Sequence, residues 1–153
     1  MCKTADKHLH HSSWTPHHTT FTANGRTGRC AENLTVYYLR NRGFTILARN
    51  YETSRGEIDI IAGKMDADIR GYPTVVFVEV KSRSHTKGLA PETNVTVSKQ
   101  RKITATMRQW MGKHARLRAV YRCDIAAIIV PKKSMPRIRY YPNAFHMKEA
   151  FGW

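Results

Sequence analysis

Residues 74–83 read TVVFVEVKSR. Val75 to Val78 are continuously apolar, the pattern of a strand covered on both faces. Such a strand takes a central position in its sheet. The run then changes character. Glu79 and Lys81 stand two apart, so they share one face of the strand. A carboxylate and an ammonium at the end of the most apolar strand in the chain call for a reason.

The stretch just upstream, GEIDIIAGK (56–64), supplies a partner. It too is an apolar strand interrupted by charge, with Glu57 and Asp59 on one face by strict alternation. A polar loop, MDADIRGYP (65–73), joins the two strands, which predicts antiparallel pairing in a meander. Asp59, Glu79 and Lys81 then converge, with Glu57 beside Asp59. Facing carboxylates raise each other's pKa unless a cation compensates. Hard oxygen ligands suit Mg²⁺, which polarises phosphoryl oxygens and activates water near neutral pH. A neighbouring lysine stabilises charge developing on a phosphate. The D…E-x-K spacing is therefore a minimal design for phosphodiester hydrolysis. It is equally the spacing of a structural ion pair in which Lys81 neutralises Glu79 or Asp59.

Working outward, FTILARNY (44–51) is a further strand, and TSRG (53–56) a turn. Residues 26–42 read as a helix, with a stripe of Ala31, Leu34 and Tyr38 and a stop at Gly43. Glu32 lies next to that stripe, where it reaches the sheet rim or simply favours the helix's early turns. Downstream, residues 84–97 have no pattern and read as a loop. Ser98 is the expected N-cap of an amphipathic helix over 98–114, with Ile103, Met107, Trp110 and Met111 as its apolar stripe. VYRCDIAAIIV (120–130) is another buried strand, in which Asp124 reads as a structural hydrogen-bond acceptor. PRIRYYPNAF (136–145) is a last strand, placed at an edge by its prolines. The order is α-β-β-β-α-β-β. The unit over 74–130 should be a right-handed parallel crossover. The fold class is α/β.

The totals favour one domain of 153 residues with an uncommon charge: 26 Lys+Arg against 11 Asp+Glu, a net +15 and a pI near 10.2. Such a field attracts polyanions, nucleic acid above all. No acidic residue occurs between Glu92 and Asp124, an interval holding eight basic ones. Among these, Lys99, Arg101, Lys102 and Arg108 flank the apolar stripe of the second helix, a surface suited to gripping phosphates without reading bases. Residues 1–24, rich in His, Ser and Thr, read as a disordered arm, 25–146 as the folded domain and 147–153 as a tail. The histidines of the arm have no metal-type spacing. Three dispersed cysteines suit reduced thiols and a cytoplasmic location. No run approaches the roughly 20 apolar residues of a membrane span, and residues 1–24 lack the apolar stretch of a signal peptide.

Taken in order, RTGRCAENLTVYYLRNRGFTILARNY, RGEIDIIA, VVFVEVKSR, VSKQRK, RCDIAAIIV and IRYYPNAF resemble the YraN-like family of small bacterial proteins. The family is similar to restriction-endonuclease-like proteins and Holliday junction resolvases. The resemblance implies an α/β fold, a mixed β-sheet flanked by helices with a restriction-endonuclease-like αβββαβ core, in agreement with the strand order. It also implies a Mg²⁺- or Mn²⁺-dependent endonuclease acting on DNA, branched or damaged DNA included. It maps the superfamily's D…E-x-K onto Asp59, Glu79 and Lys81, with Asp59 and Glu79 as metal ligands. The helix glutamate becomes Glu32, Glu57 belongs to the family's own GEID motif, and Lys99 matches a basic position opening the second helix. Resolvase-like relatives are often dimers, so a homodimer is in keeping. The chain departs from the family in a longer 65–73 loop, in Ala31 where many members have Gly, and in its His-rich arm. The rival reading is a nucleic-acid-binding module that keeps the nuclease fold and cuts nothing.

Overall fold

Val75, Val76, Phe77 and Val78 are each at most 2% exposed, because they belong to the middle strand of a five-stranded sheet. The computed structural model describes residues 26–65, 71–83, 95–129 and 135–146. The His-rich arm, the C-terminal tail and most of the two long loops expected from the sequence lie outside those residues. The elements are α1 (Arg26–Arg40), β1 (Thr45–Thr53), β2 (Gly56–Lys64), β3 (Thr74–Arg83), α2 (Val97–Lys113), β4 (Val120–Ile129) and β5 (Arg137–Phe145). The sheet order is β1-β2-β3-β4-β5. The β3–β4 pair is parallel and the other three are antiparallel, so the sheet is mixed. The order through β4 is that of the expected αβββαβ core, and β5 is an edge strand.

One apolar layer joins the sheet to α2 through Ile58, Ile61, Phe77, Ile103, Met107, Trp110 and Ile125. The opposite layer joins it to α1 through Val36, Leu39, Ile60, Val76, Val78 and Ala126. Phe77 and Trp110 meet edge to face with centroids 5.5 Å apart. Both helices rest chiefly on β1–β3, and they reach the last two strands through Met107 against Cys123 of β4 and Tyr38 stacked on Tyr140 of β5.

Several local expectations change in detail. The buried stripe of α1 is Ala31, Thr35, Val36 and Leu39, while Leu34 and Tyr38 flank it half-buried. Thr35 tolerates full burial because its hydroxyl donates to the Ala31 carbonyl at 2.9 Å. The cap of α2 is Thr96 and not Ser98: the Thr96 hydroxyl accepts from the Lys99 amide at 3.2 Å. Gly43, at φ 82°, ends α1 in the left-handed region, where glycine is unstrained. Strict alternation fails along β2. Ile58 and Ile61 pack in the α2 layer and Ile60 in the α1 layer, so the strand turns its faces between Ile58 and Ile60.

Candidate active site

The β2–β3 ladder runs from the Lys64–Thr74 pair to the Ile60–Val78 pair and stops there. One step further lie Asp59 and Glu79. Beyond the last ladder pair, the Asp59 side chain takes the place of a β2 carbonyl, its Oδ2 accepting from the Val80 N–H at 2.6 Å. This bond turns the carboxylate toward β3, which the sequence could not show because its partner is backbone.

Glu79 is 4% exposed. Its Oε1 accepts from Lys81 Nζ at 2.7 Å and pairs with Lys99 Nζ at 3.3 Å. Its Oε2 is buried and has no hydrogen-bond partner. A buried carboxylate oxygen with nothing to accept is costly, of order 1–3 kcal/mol or more for a charged group. Sites of this kind usually have a use for the free lone pairs.

Asp59 shares the electrostatics of this pocket. Its carboxyl is pushed up from the usual 3.8 to about 6, first by burial and then by the charge of Glu79. The Val80 amide and the Lys99 charge oppose that rise, and Glu32 adds to it. Asp59, Glu79, Lys81 and Lys99 thus act on one another at the point where β2 and β3 part.

The remaining sequence-predicted residues take three positions. Glu57 stands at the mouth, its side chain 58% exposed and 3.7 Å from Lys99. Glu32 approaches from α1, close enough to influence Asp59, while its own Oε2 is 3.3 Å from Arg49. Arg101, Lys102 and Arg108 are exposed on α2. Lys102 lies against Gly56, where a Cβ would come within 3.2 Å of the lysine Cβ. Arg108 is nine residues after Lys99 on the same helix, about 13 Å further along its axis. Lys99, expected among the phosphate-gripping cations, has its ammonium against Glu79 and Glu57. Asp59 and Glu79 form a pair of hard oxygen donors, and among the described residues no group of three or more His, Cys, Asp and Glu could hold a metal.

Arg122 drops out of the basic strip expected from the sequence. It makes a two-pronged contact with Asp124, Nε to Oδ1 and Nη2 to Oδ2, both at 2.8 Å. Tyr140 donates to Oδ2 at 2.6 Å and the Asn143 amide to Oδ1 at 2.8 Å. Asp124 is 0% exposed with four donors, the structural acceptor its sequence position suggests. Burial and the Asp124 charge hold the Tyr140 phenol protonated far above its ordinary value. This network ties β4 to β5 where their register shifts between Cys123 and Ile125.

Comparison with known proteins places these residues in a family. The model of the uncharacterised protein family UPF0102 matches residues 31–128, which include Glu32, Glu57, Asp59, Glu79, Lys81 and Lys99. A UPF0102 protein of Geobacter metallireducens is 38% identical over 124 residues, covering 81% of this chain and 95% of its own. One of Dictyoglomus turgidum is 39% identical over 124 residues, covering 80% and 98%. One of Anaeromyxobacter dehalogenans is 36% identical over 118 residues, covering 77% and 82%.

Proposed function

We propose that this chain, which belongs to the UPF0102 (YraN) family, is a divalent-metal-dependent endonuclease that hydrolyses phosphodiester bonds in DNA. The observation that carries the reading is the orphaned Glu79 Oε2 beside Asp59. Two carboxylates are held at one point in a chain of net charge +15, and one of them keeps a buried oxygen free. That donor set fits Mg²⁺ or Mn²⁺, hard ions that accept one or two carboxylates and keep several waters. The chemistry such an ion supplies is polarisation of the phosphoryl oxygen and acidification of water.

The chain's own groups divide the remaining work. Asp59 and Glu79 are the residues that would hold the ion, Glu79 with the oxygen that has no other partner. The Val80 amide fixes Asp59 in place, so its orientation does not depend on a mobile partner. Lys81, held on Glu79 Oε1, keeps a positive charge beside the position of the scissile phosphate. There it orients the attacking water or stabilises negative charge growing in the transition state. Lys99 balances the second charge of the pair, and Glu57 and Glu32 shape the field at the mouth. Exposed Arg101, Lys102 and Arg108 attract the phosphate backbone.

One observation favours the non-catalytic reading. Both lysines already neutralise Glu79 Oε1, which is the arrangement of a structural ion pair. The two readings separate on a panel of linear, nicked and four-way DNA incubated with Mg²⁺ or Mn²⁺. The endonuclease gives metal-dependent products that disappear in Asp59→Ala and Lys81→Ala while DNA binding persists. Cleavage surviving in both variants removes the site assignment. Tight binding without products on every substrate leaves the binding module.

A further inference from the structure

The cross-strand registers put β5 in line with the candidate site. Lys81 pairs with Ala127, and Ala127 with Arg139. Ile129 pairs with Arg137. Residues paired across neighbouring strands point to the same face. Ile138 and Tyr140 pack in the α1 layer and Tyr141 in the α2 layer. Arg137 and Arg139 therefore share the α2-side face with Glu79 and Lys81. Both are exposed, above Ala127 and Ile129, which are buried. α2 reaches β4 through Met107 and Cys123, and Arg137 and Arg139 stand exposed on the edge strand next to it.

The charge that the described residues of β5 add to this face is of one sign. No acidic residue occurs between Asp124 and Glu149, and Asp124 is turned into the opposite layer, saturated by its four donors. Adjacent strands lie about 4.8 Å apart, so Arg139 stands about 10 Å from Lys81 across the sheet, and Arg137 about 7 Å further along β5. A nucleic-acid strand advances about 3.4 Å per phosphate along a duplex axis, so 10 Å spans about three phosphates. Exposed charges also defend edge strands against pairing with another chain. That role asks only for charge at the edge, on either face. Here both arginines fall on the one face that leads from the carboxylate pair.

We propose that β5 forms one flank of the nucleic-acid track. The backbone crosses the sheet face from Asp59 and Glu79 toward the β5 edge, and Arg139 and Arg137 bind phosphates a few nucleotides from the scissile one. This rests on the reading of the site as one that acts on nucleic acid.

The test is anisotropy of labelled four-way and duplex DNA in EDTA, across a salt series. The proteins are the full chain, Arg137→Ala/Arg139→Ala and Arg137→Lys/Arg139→Lys, with urea melts and light scattering on each. The alanine pair should raise Kd by roughly tenfold or more, given the usual strength of hydrogen bonds to charged groups. It should also lower the slope of log Kd against log salt by about 2. The lysine pair should recover most of that slope, because a counterion is released by either cation. If the unaltered chain binds steeply and the alanine pair binds the same way, the β5 track is overturned while the nucleic-acid reading stands. Self-association of the alanine pair with unchanged affinity overturns it too, in favour of edge defence. If the unaltered chain binds no DNA, the underlying reading fails first.

Discussion

Replacing Asp59 with Asn should make the protein more stable at neutral pH while it removes the site's function. The carboxyl is raised from 3.8 to about 6, chiefly by burial. A raised folded-state pKa means that folding favours the protonated acid. Below pH 3.8 both states are protonated and the residue adds no penalty. Between pH 3.8 and 6 the penalty grows, and above 6 it is complete. At about 1.4 kcal/mol per tenfold change in proton affinity, that rise corresponds to a ceiling of about 3 kcal/mol. Asparagine retains an oxygen that can accept the Val80 amide, though without the charge that strengthens the bond at 2.6 Å. A net gain of about 1–2 kcal/mol at pH 7.5 is the expected balance. Urea unfolding in EDTA, followed at pH 7.5, 5 and 4 for both proteins, measures it. The advantage of Asp59→Asn should shrink steadily as pH falls and be gone near pH 4. A variant less stable than the parent at pH 7.5, or an advantage that ignores pH, would refute the reasoning.

Other expectations follow from single contacts. Arg122→Ala leaves the fully buried Asp124 without its cation and should cost about 3–5 kcal/mol in urea unfolding. Tyr140→Phe removes one of four donors to the same carboxylate and should cost less, about 1.5–3 kcal/mol. Gly56→Ala meets both a φ of 148° and Lys102 Cβ at 3.2 Å. A loss above about 1 kcal/mol is expected, measured by the same unfolding. Leu39→Ala opens a cavity under α1 at a residue 0% exposed and should cost about 2–5 kcal/mol; thermal melts would show it directly.

The fold was legible where period and burial agree. The four apolar residues before Glu79 announce a central strand, and the meander from β2 to β3 follows from a loop too short for a crossover. The apolar stripe of α2 was readable for the same reason, since Ile103, Met107 and Trp110 recur at helical spacing. The stripe of α1 was displaced because Thr35 hides its hydroxyl on a backbone carbonyl, so a polar letter occupies a core position. The approach of Asp59 to Glu79 was legible from the antiparallel meander, but the details were not. Strand alternation breaks between Ile58 and Ile60, and Asp59 is oriented by a backbone amide that carries no sequence signature. Arg122 reads as one more surface cation until the fold brings Tyr140 and Asn143 to Asp124, side by side with it. The direction of Lys99 was hidden similarly, because nothing in a basic helix start says that its ammonium turns inward to Glu79.

Calorimetric titration of Mn²⁺ into the full chain at pH 7.5 addresses the carboxylate pair itself. One ion per chain should bind, and binding should be lost in both Asp59→Asn and Glu79→Gln, with each variant folded by urea melt. Undiminished Mn²⁺ binding in those two variants, or no binding to the parent chain, would contradict a metal held by Asp59 and Glu79.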